Sequence, residues 1–191
     1  MNICVYGASS DKIDKYYISE TEKLGEVIAQ KGHSLVFGGG AQGIMGAAAR
    51  GMKNQKGYVI GVSPKFFNVD GVLFTDCDEL IYTETMRERK QILEEKSDAF
   101  VVAPGGIGTF EEFFEIFTLK QLARHNKPIV IFNANGFYDN MIKLLEDAEK
   151  QGFIREKTLK LYKVIEKPEE IIEYIESYVP EEINIVETRG V

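Results

Sequence analysis

Histidine is scarce in this chain. His33 and His125 are the only two in 191 residues, which argues against a zinc site and leaves little from which to build a serine or cysteine triad. Cysteine is equally rare: Cys4 and Cys77 stand in no metal-ligand spacing and read as small buried hydrophobes of a reducing compartment. Basic charge is in deficit, with 23 Lys and Arg against 30 Asp and Glu and a net charge of -7. A general nucleic-acid or anionic-membrane binder needs a basic surface, so neither nucleic acid nor membrane is expected as a partner. A small phosphorylated ligand stays compatible, because one pocket can be positive on an acidic protein. No apolar run reaches the length of a membrane span. The opening "MNICVYG" runs straight into a strand pattern, without a basic n-region or an apolar h-region, and a cytoplasmic location is expected.

What is present is ordinary for a globular domain: 44% hydrophobic and 28% charged residues, in a chain long enough to bury a sizeable core. The runs "NICVYG", "SLVFGGG", "GYVIGVS", "DAFVVAPGG" and "KPIVIFN" are apolar on consecutive positions, as strands of a sheet covered on both faces should be. They alternate with segments of helical spacing, among them "TMRERKQILEEKS" and "FEEFFEIFTLKQLARHN". Strands alternating with helices predict an α/β fold, Rossmann-like and doubly wound, with a mainly parallel sheet and helices on both faces. No repeat or composition break marks a second domain. Residues 1–180 are expected to form one domain, closed by a last strand and helix in "LYKVIEKPEEIIEYIESYV". Residues 181–191 are expected to be a loose tail.

In such sheets ligands sit beyond the carboxyl ends of the strands. Three glycine- or serine-rich loops fall there: "YGASSD", "FGGGAQGIMG" and "PGGIGT". The second contains G-x-G-x-x-G at Gly38, Gly40 and Gly43. A dinucleotide fold also wants an acid about 20 positions on, where this chain has "VIGVSPKFF". Tight turns near another ligand are the better reading, with Ser9, Gly39, Gly40 and Gly43 as candidate contacts. In the third loop, Gly105, Gly106 and Gly108 permit close backbone approach and Thr109 adds a hydroxyl at the helix start. Unpaired amides and the helix dipole there favour a phosphate. There is no G-K-[ST], so it is not a Walker A loop. A plain glycine turn with a threonine cap is the competing reading.

The adjacent acids Glu111 and Glu112 lie about 100° apart around a helix and cannot share a face. Glu111 aligns with Glu115 and Thr118, a solvated stripe; Glu112 aligns with Ile116 and Leu119, which point inward or into an interface. A shielded carboxylate needs a partner. The segment "TMRERKQILEEKS" supplies a candidate, because Thr85 and Glu88 form a capping box that fixes where its helix starts. From that start Arg89 falls on the apolar stripe with Ile92 and Leu93, near Met86, while Arg87 falls on the polar side. A guanidinium on an apolar stripe is usually paired with a carboxylate or phosphate, although a snorkelling arginine at a surface edge would look the same. Lys90 is a candidate second cation. The 12 Phe and 9 Tyr, Tyr16, Tyr17 and Tyr82 among them, read as packing.

"MRERK", "SDAFVVAPGGIGTFEE" and "FGGGAQGIMG" together resemble the LOG (Lonely Guy) family of cytokinin riboside 5′-monophosphate phosphoribohydrolases, which often carry the label of lysine decarboxylases. The resemblance runs from Asn2 to about residue 178. It implies hydrolysis of the N-glycosidic bond of a nucleoside 5′-monophosphate to free base and ribose 5-phosphate. It places the family's catalytic arginine on Arg89 and its catalytic glutamate on Glu112, with the 5′-phosphate on the "PGGIGT" backbone and Thr109. It also implies a homodimer or larger assembly with the site near the subunit interface. No metal or organic cofactor is required by this chemistry. Two positions depart from the family pattern: Arg87 stands where a histidine is usual, and Ala8 where a glycine is usual. A non-catalytic nucleotide-binding protein using the same pocket is the alternative. A true lysine decarboxylase would need a lysine for pyridoxal phosphate, and no motif for one is present.

Overall fold

The computed structural model describes residues 1–189. Seven strands form one all-parallel sheet: β1 (Asn2–Tyr6), β2 (Ser34–Phe37), β3 (Val59–Pro64), β4 (Glu79–Thr83), β5 (Ala99–Val102), β6 (Ile129–Phe132) and β7 (Lys163–Ile165). Their order across the sheet is β4-β3-β2-β1-β5-β6-β7. The helices are α1 (Lys15–Gln30), α2 (Gly43–Asn54), α3 (Met86–Lys96), α4 (Ile107–Gln121), α5 (Asp139–Lys150), α6 (Glu156–Leu159), α7 (Pro168–Ser177) and α8 (Ile185–Arg189).

The consecutive apolar residues of the central strands serve two cores. Ile3 and Val5 of β1 pack with Leu24 and Ile28 of α1, Ala48 and Met52 of α2, and Ile171 and Ile175 of α7. Cys4 and Tyr6, pointing the other way, pack with Leu93 of α3, Phe113 and Ile116 of α4, and Leu145 of α5. Alternation along one strand therefore feeds both faces, which is the doubly wound architecture expected. Cys4 is buried and Cys77 half-buried, both as free thiols. No helix among the described residues is long and apolar enough to cross a membrane.

The strand order reverses between β1 and β5. Chain following β1 builds outward through β2, β3 and β4, whereas chain following β5 builds outward the other way. The loops after these two strands therefore part and leave a crevice, which is where this architecture binds ligands.

Three features differ from the sequence expectation. Strand β4, "ELIYT", was not expected. It is an edge strand with Tyr82 42% exposed, so it lacks the doubly buried run that marks its neighbours. Tyr16 is likewise exposed instead of packed. Residues 181–189, expected as a loose tail, lie against the domain. The Thr188 carbonyl accepts from Gln121 Nε2 at 3.0 Å and from Thr158 Oγ1 at 2.7 Å, and the Thr188 hydroxyl donates to the Gln121 carbonyl at 3.0 Å. Residues 190 and 191 lie outside the described residues.

The same end of the molecule holds a buried cation. Lys120, 2% exposed, donates from Nζ to the Lys127 carbonyl at 2.8 Å and to the Tyr178 hydroxyl at 3.0 Å. Tyr178 in turn donates to Asn126 Oδ1 at 3.1 Å. These bonds tie the turn after α4 to the end of α7. A cavity of about 640 Å³ lies beside them, lined by both lysines (Lys120, Lys160) and acids (Glu181, Glu182).

Candidate active site

A cavity of about 770 Å³ opens at the carboxyl ends of the strands around the β1/β5 switch point. Its walls come from the three glycine-rich loops, from the starts of α3 and α4, and from the β3–β4 loop. Of the residues expected at a site, Ser9, Gly40, Met86, Arg89, Gly106, Gly108, Thr109 and Glu112 line it.

Of the helices that begin at this edge, α2 and α4 are not equivalent. The start of α2 is already satisfied by protein. Gly43 N donates to Asp11 Oδ1 at 2.6 Å, and Ile44 N and Met45 N donate to the Ala8 carbonyl at 2.8 and 3.2 Å. The start of α4 is open: its N-cap is Gly106, with no side-chain cap. An uncapped first turn presents unpaired amides and the positive end of the dipole. Thr109 is buried in that turn. A Cβ on Gly105 would fall 2.1 Å from Thr109 Oγ1, so a glycine is required to let the threonine fold back over the loop. Ala8 N donates to the Pro104 carbonyl at 3.1 Å and joins the loops after β1 and β5.

Arg89 and Glu112 meet inside the cavity. Arg89 Nη1 donates to Glu112 Oε1 at 3.1 Å, and Arg89 Nε donates to the Val62 carbonyl at 3.2 Å. The two residues are 6% and 8% exposed. Position follows from local structure: the capping box expected from Thr85 and Glu88 is present, which fixes the start of α3 and brings Arg89 against the end of β3. The guanidinium also lies against the Gly38 backbone. A Cβ there would sit 1.8 Å from Arg89 Nη2, so any side chain at residue 38 would push the arginine aside. Burial pushes the Glu112 carboxyl up to about 7, with Arg89 pulling it back and Glu111 adding to the rise. Desolvation outweighs the ion pair because a single guanidinium contact makes up only part of the hydration that a buried carboxylate loses.

The facing expected for the two glutamates holds. Glu111 is exposed and accepts from Lys90 Nζ at 2.6 Å. The same ammonium pairs with Glu115 Oε2 at 2.8 Å. Lys90 does not line the cavity: it serves the outer acids Glu111 and Glu115. Gly39, Gly43 and Gly105 are also not among the lining residues. Gly39, at φ +76°, turns the chain and packs against the Ser63 Cβ; Gly43 gives its amide to Asp11; Gly105 lies beneath Thr109. They shape the site from behind. Sequence reasoning missed Gly38 and Ser63, and also Phe67, Asp70 and Val72 of the β3–β4 loop, all of which line the cavity. That loop could not be placed while β4 went unrecognised, although the exposed pair "FF" directly after a strand end was a signal. Arg87 is exposed, as expected.

A parallel, doubly wound sheet with a buried carboxylate–guanidinium pair beside an open helix N-terminus places the chain among the α/β proteins that carry a ligand crevice at the strand ends. Solved structures agree on the fold. The molybdenum cofactor carrier protein of Chlamydomonas reinhardtii superposes with a TM-score of 0.69 at 24% identity, covering 92% of this chain and 95% of that one. The molybdenum cofactor binding protein of Rippkaea orientalis gives a TM-score of 0.66 at 21% identity, covering 92% and 94%. Sequence relatives are closer. The cytokinin riboside 5′-monophosphate phosphoribohydrolase LOG of Oryza sativa subsp. japonica is 35% identical over 185 residues, 96% of this chain and 76% of its own. LOG2 of Arabidopsis thaliana, with the same activity in its name, is 30% identical over 96% of this chain and 86% of its own. The cytokinin riboside 5′-monophosphate phosphoribohydrolase of Mycobacterium tuberculosis is 42% identical over 132 residues, 69% of this chain and 71% of its own. The family described as "Possible lysine decarboxylase" matches residues 45–175. The chain belongs to this family, the LOG family.

Proposed function

We propose that the chain hydrolyses the N-glycosidic bond of a nucleoside 5′-monophosphate, a cytokinin riboside 5′-monophosphate, AMP or both, to free base and ribose 5-phosphate. The observation that carries this is the buried Arg89–Glu112 pair set one turn beyond the open start of α4. The amides of Gly106, Gly108 and Thr109 receive the 5′-phosphate, which leaves the sugar beside Glu112. As the C1′–N bond breaks, its electron pair leaves with the base and positive charge builds on the ribose. The ionised Glu112 stabilises that charge, orients the ribose hydroxyls, or takes a proton from the water that adds to C1′. The departing base regains one proton, so the water is divided between the two products. Arg89 orients Glu112 and the substrate and assists the base in leaving.

Names of the relatives support this activity, and the crevice supports the substrate's size. Ile107, 82% exposed, and the exposed Phe67 and Met86 form an apolar rim. A second copy of the chain covering that rim would complete a homodimer with the site near its interface. The proposed location is the cytoplasm, where nucleotides are made and used. A decarboxylase is not favoured, because no lysine is among the residues that line the cavity.

Incubation of the pure protein with AMP and with isopentenyl-AMP, followed by assay of free base and ribose 5-phosphate, tests the proposal. Release of both products in equal amounts is expected. Tight binding without release from either nucleotide would instead make the chain a nucleotide-binding protein.

A further inference from the structure

Three charged side chains line the active-site cavity: Arg89, Glu112 and Asp70. Arg89 and Glu112 answer each other. Asp70, exposed on the β3–β4 loop, has no hydrogen-bond or ion-pair partner among the described residues. Its backbone, by contrast, is held. Val72 N donates to the Val69 carbonyl at 3.1 Å and closes a four-residue turn with Asp70 and Gly71 at its centre. Gly71, at φ +78°, takes the left-handed position that such a turn needs. Ala41 N donates to the Val72 carbonyl at 2.9 Å and Phe74 N to the Gly39 carbonyl at 2.8 Å, which fastens the loop over the turn after β2. A carboxylate is thus set at the cavity wall with its accepting atoms unused by the protein.

Its position indicates which part of a ligand it meets. The other lining residues of this loop are Phe67, Gly71, Val72 and Leu73, so Asp70 is the one charge on a largely apolar stretch. The loop leaves β3, three places from β5 in the order β3-β2-β1-β5, or about 14 Å at ordinary strand spacing. A phosphate is repelled by a carboxylate and drawn to the open start of α4, after β5. A nucleoside monophosphate laid across the strand ends, with its phosphate on α4 and its ribose at Glu112, turns its base toward the β3–β4 loop. A carboxylate accepts hydrogen bonds and donates none. It therefore suits a base edge that carries N–H and disfavours one that offers only a carbonyl oxygen or a bare ring nitrogen.

We infer that Asp70 is a specificity-determining residue whose carboxylate accepts a hydrogen bond from the exocyclic amino group of the base, selecting aminopurine nucleotides against those without an N–H there. The inference deepens the hydrolase reading above and depends on it. The test compares wild type with Asp70→Ala on two substrates: AMP, and purine riboside 5′-monophosphate, which has hydrogen in place of the amino group. Loss of one hydrogen bond to a charged acceptor predicts that kcat/KM for AMP falls about 10-fold or more. For purine riboside 5′-monophosphate, which has no such bond to lose, kcat/KM should stay within about 2-fold of wild type, the scale of a surface substitution. Asp70→Asn, which keeps a neutral acceptor, should recover part of the preference for AMP. An equal loss for the two substrates would overturn the assignment, because they share the same ribose and phosphate. An unchanged kcat/KM for AMP in Asp70→Ala would overturn it as well. If wild type hydrolyses no nucleotide, the hydrolase reading fails on its own. Calorimetric binding of the same two nucleotides to the same variants then decides Asp70 by the same contrast.

Discussion

At the N-terminal end of α4, Glu112 is buried against a cation; at the C-terminal end, Lys120 is buried without an anion. Burial moves both toward neutrality, Glu112 up to about 7 and Lys120 down to about 8. Their settings differ in what surrounds the charge. Glu112 faces a cavity, with Arg89 as its one hydrogen-bond partner among the described residues and room beside it for a ligand. Lys120 is bonded to a loop carbonyl and a tyrosine hydroxyl, neutral groups that hold the turn after α4 in place. Burial alone therefore does not identify a reactive group on this helix. The distinguishing feature is a buried charge whose bonding is left incomplete toward an open crevice.

The comparison breaks most visibly at Glu112. Glu112→Gln is expected to lower the rate of hydrolysis about 100- to 10,000-fold with the circular dichroism of the fold intact; a variant retaining most activity would separate the pair from the chemistry. Since the ionised form is the active one, the wild-type rate should rise with pH through about 7. Stability should run the other way. The folded carboxyl binds its proton more tightly than the unfolded one at 4.5, so stabilisation present below about 4.5 is lost as pH rises to about 7. The loss is on the order of 3 kcal/mol. Denaturant titrations across that window should show the slope in wild type and not in Glu112→Gln.

Gly38→Ala comes next. A methyl group at 1.8 Å from Arg89 Nη2 must displace the guanidinium, and misplacement of that size costs about 100-fold in rate. With Arg89 drawn away, the midpoint of the pH–rate profile should move upward. A normal rate with an unmoved midpoint would show that Arg89 is not held by this contact.

Lys120→Met probes the other end of α4. Stability at neutral pH should drop by about 1 kcal/mol, as the Lys127 carbonyl loses its donor, while kcat and KM stay at wild-type values. A change in kcat would mean that the two ends of α4 are coupled. The smallest effect belongs to Glu111→Gln, which removes one of two exposed acids on Lys90. It should change stability by less than about 1 kcal/mol and activity by less than about 2-fold, an estimate from the same exposed-pair magnitude. A loss matching that of Glu112→Gln would overturn the division of the two glutamates by helix face.

Much of this was legible in the sequence because it is local. Doubly buried strands announce themselves as continuous apolar runs, and a capping box fixes a helix start to one residue. Helical period then separates Glu112 from Glu111 and Arg89 from Arg87. What was not legible depends on contacts between distant segments. The edge strand β4 buries one side only, so its pattern is weak. The role of Gly38 exists only because Arg89, 51 positions on, arrives at its Cα. Lys90 was assigned to the site from its neighbours in sequence, whereas the acids of α4 lie closer in space.

Asp11 gives the clearest case of a local motif overruled at a distance. The turn after β2 carries the glycine spacing of a pyrophosphate loop, yet its helix amide is held by a carboxylate of this same chain. Of the two helix starts, at α2 and α4, that of α4 keeps its uncapped amides toward the crevice, beside the Arg89 guanidinium, so an anion has one open helix N-terminus to meet there.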